Sequence, residues 1–216
     1  MKAIPREAKK ITYSTFIRNL KKKSFLAFQK ATLVGCLLGD GNAEISWESK
    51  NYRLKIEHSV KQKGYVFWKY EIFKDWVLTK PKFCSKNHSV LFRTISHPDI
   101  TNFGAKFYQN KRKTLPIDEI KIYLANPIVV AVWFMDDGNV IKRNGKVYGY
   151  HLNSQSYTYE ENLFLQSILR KIYGIKFSLE VNHGKHRLRI MREDERKKFE
   201  EIIKPHIISS MRYKLG

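Results

Sequence analysis

Two stretches of this chain share one design and lie 97 residues apart. "LVGCLLGDG" (33–41) and "VAVWFMDDG" (130–138) each run apolar and close on an acid and a glycine, Asp40–Gly41 and Asp137–Gly138. Each reads as the end of a helix that is apolar nearly all round, hence buried. Folding alone gives no reason for a carboxylate there. It costs free energy near a dry interior, and it sits at the negative end of the helix dipole. A helix stop with glycine in the left-handed conformation would explain one such ending. It does not explain an acid that recurs.

The order of elements around these stretches also recurs. In the first half a helix within 25–41 precedes a strand at 53–60, "RLKIEHSV". Its alternation sets Leu54 and Ile56 on one face and Arg53, Lys55 and Glu57 on the other. A helix at 63–78 follows on the spacing of Tyr65, Trp68, Ile72 and Trp76, then a strand at 88–95 and a helix at 98–110 opened by Pro98 and Asp99. After a connector bounded by Pro116 and Pro127 come a helix at 128–138, a strand at 146–154 and a helix at 159–173. Strands at 176–182 and 186–191 and a helix from Glu193 to about Lys204 complete the second half. Each half closes on a short basic element, "RKTLP" around Lys113 and "RYKLG" around Lys214, which lie 73 and 77 residues after Asp40 and Asp137. The pattern is that of a duplication. It divides the chain into a basic N-terminal arm (1–24), a first repeat (25–113), a connector (114–126) and a second repeat (127–216). Phe16 and Ile17 suggest that part of the arm packs.

Composition indicates the partner. Against 20 Asp and Glu stand 41 Lys and Arg, a formal net charge of +21. Solubility does not need so large an excess, and self-repulsion makes it a cost to compaction. A polyanion is implied. The basic residues are spread along the chain, no apolar stretch approaches the length of a membrane span, and the N-terminus lacks the apolar core of a secretory signal. Nucleic acid is therefore expected over a membrane. Cys36 and Cys84 form no disulfide framework and no zinc spacing, as expected of reduced thiols in an intracellular protein, in an organelle or a prokaryotic cytoplasm. Trp68, Trp76 and Trp133 fall on apolar helical faces and are expected in the core, whereas Trp47 suits either core or surface.

If the two acid-terminated helices pack side by side, Asp40 and Asp137 meet and repel unless cations sit between them. Hard oxygen ligands select magnesium-type ions, which can share a phosphate oxygen and activate a water for attack on phosphorus. A basic surface would hold a duplex by its phosphates while side chains on the wet sheet faces read base edges. On strand parity these are Arg53 and Lys55 in the first half, and His151, Asn153, Arg187 and Arg189 in the second.

The same residues carry a resemblance. The two motifs, with "KTLP" (113–116), "LNSQSYTYEE" (152–161) and "IIKPHIISSMRYKL" (202–215), resemble LAGLIDADG homing endonucleases, in particular the monomeric intron-encoded type with both motifs in one chain. The likeness spans roughly residues 28–216. It implies a mixed α/β (α+β) fold of two pseudo-symmetric αββαββα repeats, with the motif helices at the interface and saddle-shaped antiparallel sheets for DNA. It further implies cleavage of both strands of a long double-stranded DNA target across the minor groove, leaving 3′ overhangs. The cofactor would be Mg2+, with Mn2+ as a substitute and Ca2+ supporting binding without cleavage. Asp40 and Asp137 match the metal-ligating acids, and Gly39 and Asp136 the positions that lend a backbone carbonyl. Lys113 and Lys214 match lysines that stabilise charge near the scissile phosphates. The polar residue beside the metals matches Gln155 in the second half. In the first half equal spacing selects His58 and strand parity Glu57, and Glu57 is preferred. The chain departs from the pattern at Val132, which stands where the first motif has Gly35. A role in intron RNA splicing, as a maturase on the same fold, is the alternative.

Overall fold

The structure, a computed structural model, describes residues 14–45, 51–109 and 112–216. Trp47, Lys9 and Lys10 lie outside these. The first element is α1 (Thr15–Lys22), where the Ser14 hydroxyl accepts a hydrogen bond from the Ile17 amide and Ile17 and Leu20 are buried. Part of the basic arm is thus a packed helix, with Phe16 left outside.

Two series of elements follow in the same order. The first is α2 (Ala27–Leu38), β1 (Asn42–Ile45), β2 (Tyr52–Ser59), α3 (Lys63–Phe73), β3 (Lys82–Cys84), β4 (Ser89–Arg93) and α4 (Pro98–Phe107). A short antiparallel pair, β5 (Tyr108–Gln109) and β6 (Arg112–Lys113), and a helix α5 (Ile117–Tyr123) lead to the second. That series is α6 (Pro127–Asp137), β7 (Gly138–Arg143), β8 (Lys146–Leu152), α7 (Tyr159–Tyr173), β9 (Ser178–Asn182), β10 (Lys185–Ile190) and α8 (Glu193–Ile203). Each series reads αββαββα. Each builds one antiparallel four-stranded sheet of the same topology, β1-β2-β4-β3 and β7-β8-β10-β9. The expected mixed α/β fold of two repeats is the fold observed.

Several strands and helices exceed what hydrophobic period alone indicated, among them β1, β3, β7 and α5. β1 and β3 are too short to show alternation. β7 pairs with β8 through Asn144–Gly145, both at positive φ, a turn chemistry that the sequence displays as "NG". α5 fills the supposed connector, with Ile120 buried and Asp118 and Glu119 in its first turn.

The described residues form two compact units, those up to Leu33 with those of Gly41–Ala105, and Val34–Asp40 with those of Lys106–Gly216. In the first unit Leu54 and Ile56 of β2 and Phe92 of β4 are buried, as are Tyr65, Val66 and Phe73 of α3. The buried face of α3 is turned from the one that spacing predicted. Trp68 and Ile72 are half-buried, while Lys69 is wholly buried, its ammonium 4.1 Å from the centre of the Tyr65 ring. Trp76 is core, edge-on to Phe25, which stacks on His97. In the second unit Phe134 packs edge-on against Tyr150 and Phe199, and Trp133 is fully buried. Helix α7 starts in a reciprocal capping box between Thr158 and Glu161 and ends at Gly174 in the left-handed conformation.

Candidate active site

The second unit brings the ends of the two acid-terminated helices together. Residues 34–40 approach α6 closely because Gly35 and Gly39 have no side chain. A Cβ on Gly35 would sit 2.7 Å from Val132 Cβ and 2.9 Å from the Val129 carbonyl, and one on Gly39 would sit 2.3 Å from Asp136 Cβ. Val132 therefore fills the space that Gly35 leaves, so one glycine serves this crossing. Gly39 and Asp136, which the alignment of the two motifs pairs, face one another. The Asp40 amide donates to Asp136 Oδ2 at 3.3 Å, and carboxylate oxygens of Asp40 and Asp136 lie within 4.8 Å of each other. Gly138 is required for space rather than for conformation. Its φ is −83°, not left-handed, and a Cβ there would meet the Phe134 ring at 2.1 Å.

Two lysines close the helix ends in matching fashion. Lys113 Nζ donates to the carbonyls of Leu38 and Gly39 at 3.1 and 2.6 Å. Lys214 Nζ donates to the carbonyls of Met135 and Asp136 at 2.6 and 2.8 Å. The accepting residues are the same two motif positions, 97 apart in each case. These are terminal carbonyls that an α-helix cannot satisfy itself. A carbonyl oxygen has two acceptor sites, so a bond from lysine does not by itself bar a cation from it.

The charges at this place act on one another. Burial pushes the Asp137 carboxyl up to about 8, and repulsion from Asp40 and Asp136 adds to it, against the pull of Lys113 and Lys214. Burial also lowers the Lys113 ammonium, opposed by Asp137, Asp136 and Asp40. Tyr157 packs under Lys113, whose Nζ lies 5.7 Å from the ring centre, and its hydroxyl donates to the Leu38 carbonyl at 3.3 Å. Sequence reading passed over this tyrosine, although it stands inside the "LNSQSYTYEE" segment. Gln155 is half-buried in the turn between Ser154 and Tyr157, two residues after Asn153, whose amide donates to the Asp137 carbonyl at 3.0 Å. The oxygens of Asp40, Asp136 and Asp137 and the carbonyls of Gly39 and Asp136 make a hard donor set that fits a divalent cation of the magnesium type.

In the first unit Glu57 and His58 point to opposite faces of β2. Glu57 bonds Lys55 (2.7 Å), Ser89 (2.6 Å) and Asn87 (3.3 Å), and the Lys55 contact leads in drawing its carboxyl down to about 2. His58 is buried, with Nε2 3.0 Å from Lys69 Nζ.

On the first sheet Arg53 and Lys55 share a face with Glu44, which also takes Arg93 Nε at 3.1 Å. On the second sheet His151, Asn153, Arg187 and Arg189 share a face with Glu180 and Asn139. Burial comes first in holding the His151 imidazole below its usual range, with Arg187 adding to it. Sequence reasoning missed Glu44 because β1 was not read as a strand. Glu180 could have been placed by the parity of "KFSLEVN".

Comparison with known proteins decides the family. The LAGLIDADG DNA endonuclease family matches residues 30–199. The chain belongs to this family. A probable intron-encoded endonuclease 1 of Wickerhamomyces canadensis is 28% identical over 213 residues, covering 94% of this chain and 90% of that protein. A cytochrome b mRNA maturase bI2 of Debaryomyces hansenii is 27% identical over 200 residues, covering 85% of this chain and 72% of the relative. The solved structure of the homing endonuclease I-WcaI bound to its DNA recognition sequence superposes with a TM-score of 0.83 at 25% identity, covering 94% and 93% of the two chains. This chain is thus a LAGLIDADG homing endonuclease by sequence and fold, with two motifs in one chain. Among the described residues no helix is long and apolar enough to cross a membrane.

Proposed function

We propose that this LAGLIDADG protein acts as a monomer that binds a long double-stranded DNA target and hydrolyses both strands across the minor groove, leaving 3′ overhangs, with Mg2+ as its metal. Asp40 and Asp137 would hold the metal by their carboxylates, and Gly39 and Asp136 by their carbonyls. A bound divalent cation supplies charge neutralisation at phosphorus and lowers the pKa of water. The remaining work belongs to the chain. Lys113 and Lys214 fix the carbonyls of the two helix ends and bring positive charge beside the acids. Gln155 and Glu57 are proposed to contact the water and phosphate near each acid, with His58 the alternative to Glu57. The basic sheet faces hold the DNA.

The observation that carries the reading is the doubled arrangement of an acid, a close helix end and a lysine on the same two carbonyls. A helix stop alone needs neither the acid nor its copy. A second reading, an RNA partner in intron splicing, is favoured by the maturase relative. The test is a cleavage selection on a randomised DNA library with Mg2+ and, in parallel, Ca2+. Cut products that share one sequence and carry 3′ overhangs under Mg2+ only are expected. Tight DNA binding with no cut under Mg2+ would overturn the nuclease reading, and binding to host-intron RNA would then be measured.

A further inference from the structure

Both sheet faces carry a carboxylate where a DNA-reading surface would be expected to avoid one. On the second sheet Glu180 Oε2 takes Arg187 Nε and Nη2, both at 2.7 Å. On the first sheet Glu44 Oε2 takes the same two atoms of Arg53, at 3.4 and 3.2 Å. A guanidinium has two edges that can make paired hydrogen bonds, Nε with Nη2 along its side and Nη1 with Nη2 at its end. In both arginines the glutamate takes the side edge and leaves the end. The end edge matches O6 and N7 of guanine, the commonest specific contact in the major groove.

The neighbours support a division of labour. Arg187 Nη1 also donates to Asn153 Oδ1 at 3.2 Å, which fixes the plane of the guanidinium and leaves Nη1 a second proton. Arg189 instead gives Nη1 to Glu180 Oε1 at 2.8 Å and keeps its Nε buried, so the glutamate holds it by an end atom and not by its side edge. Arg93 gives its Nε, an atom of its side edge, to the same Glu44 oxygen at 3.1 Å. Glu180 takes Arg187 on Oε2 and Arg189 on Oε1, whereas Glu44 takes Arg53 and Arg93 on the same Oε2. The side chains of Arg53 and Arg187 are 28% and 17% exposed. The two glutamates lie on different strands of the common topology, β1 and β9, at opposite edges of their sheets. The device therefore is not simply copied with the repeat. Ordinary neutralisation of clustered charge would not require the same edge twice.

We propose that Glu44 and Glu180 are positioning residues for sequence reading: each holds one arginine, Arg53 or Arg187, by its side edge so that the guanidinium end meets the two major-groove acceptors of a guanine. Arg189 braces Glu180 and does not read a base. The inference rests on the DNA-reading role assigned to these faces. Removing the glutamate frees the arginine to rotate and removes a negative charge from the surface. Discrimination should fall while affinity for any duplex rises.

The test is a base-by-base preference profile around the wild-type target, for wild type, Glu180→Gln, Glu180→Asp, Arg187→Lys and Arg189→Lys, with thermal midpoints recorded. The wild type is expected to prefer guanine at one position at least tenfold, and Arg187→Lys to lose that preference. Glu180→Gln should lose it too, and bind non-target DNA several-fold more tightly, while Glu180→Asp recovers part of it and Arg189→Lys shifts it least. Should Glu180→Gln fail to fold, Glu44→Gln carries the same test at the position read by Arg53. A Glu180→Gln profile identical to wild type, beside a changed Arg187→Lys profile, would overturn the positioning role and leave DNA reading intact. A wild type that selects no target at all would overturn both.

Discussion

Lys214, proposed above to act in the chemistry, also holds structure. It is 9% exposed and gives its ammonium to two helix-terminal carbonyls, so taking it away leaves acceptors in a dry setting. Lys214→Met is predicted to slow DNA cutting by about a hundredfold or more, as expected when a group beside a transition-state charge is lost. It should also cost about 1–3 kcal/mol of stability, measurable by denaturant titration, because a buried acceptor loses its donor. His97 makes a second residue-level case. Its Nδ1 accepts from the Asp99 amide at 3.1 Å and its Nε2 donates to the Lys23 carbonyl at 2.9 Å, an arrangement that only the neutral ring satisfies. Burial leads in holding its pKa below the usual 6.5, so the folded state binds this proton less readily than the unfolded chain. The stabilisation is complete above pH 6.5 and fades as pH falls through the lower folded value. His97→Gln should be less stable at pH 8 but show a flatter stability profile as pH falls below 6.5.

The elements record what a sequence displays and what it hides. The helices α6 and α7 and the strands β2 and β10 were legible to within about two residues, because long apolar or alternating runs leave little choice of period. Asp40, Asp137, Lys113 and Lys214 were legible as positions because each occurs twice. The bonds of the lysines to carbonyls were not, since backbone acceptors leave no mark in sequence. Lys69 was illegible for the opposite reason: an ammonium enters a helix core only where tertiary partners such as His58 and the Tyr65 ring receive it. The closeness of residues 34–40 to α6 is itself testable. Gly35→Ala should destabilise the protein by about 1–3 kcal/mol through overpacking, because its Cβ meets Val132 at 2.7 Å. Adding Val132→Gly should recover part of the lost thermal midpoint but not all, since the Val129 carbonyl remains 2.9 Å away.

For the whole molecule, the repeat is the main fact. The same order of helices and strands, the same sheet topology and the same lysine-to-carbonyl contacts occur twice, and each repeat carries an acid at or just past the end of its first helix. Two copies of one arrangement suit the proposed partner, a duplex with two strands. The net charge of +21 suits the same partner. The most direct test is to assay Asp40→Asn and Asp137→Asn separately on the selected target, following binding in Ca2+ and cutting in Mg2+. The account predicts that each variant binds within a few-fold of wild type and that neither yields the doubly cut product. Double-strand cutting at the wild-type rate by either variant would contradict it.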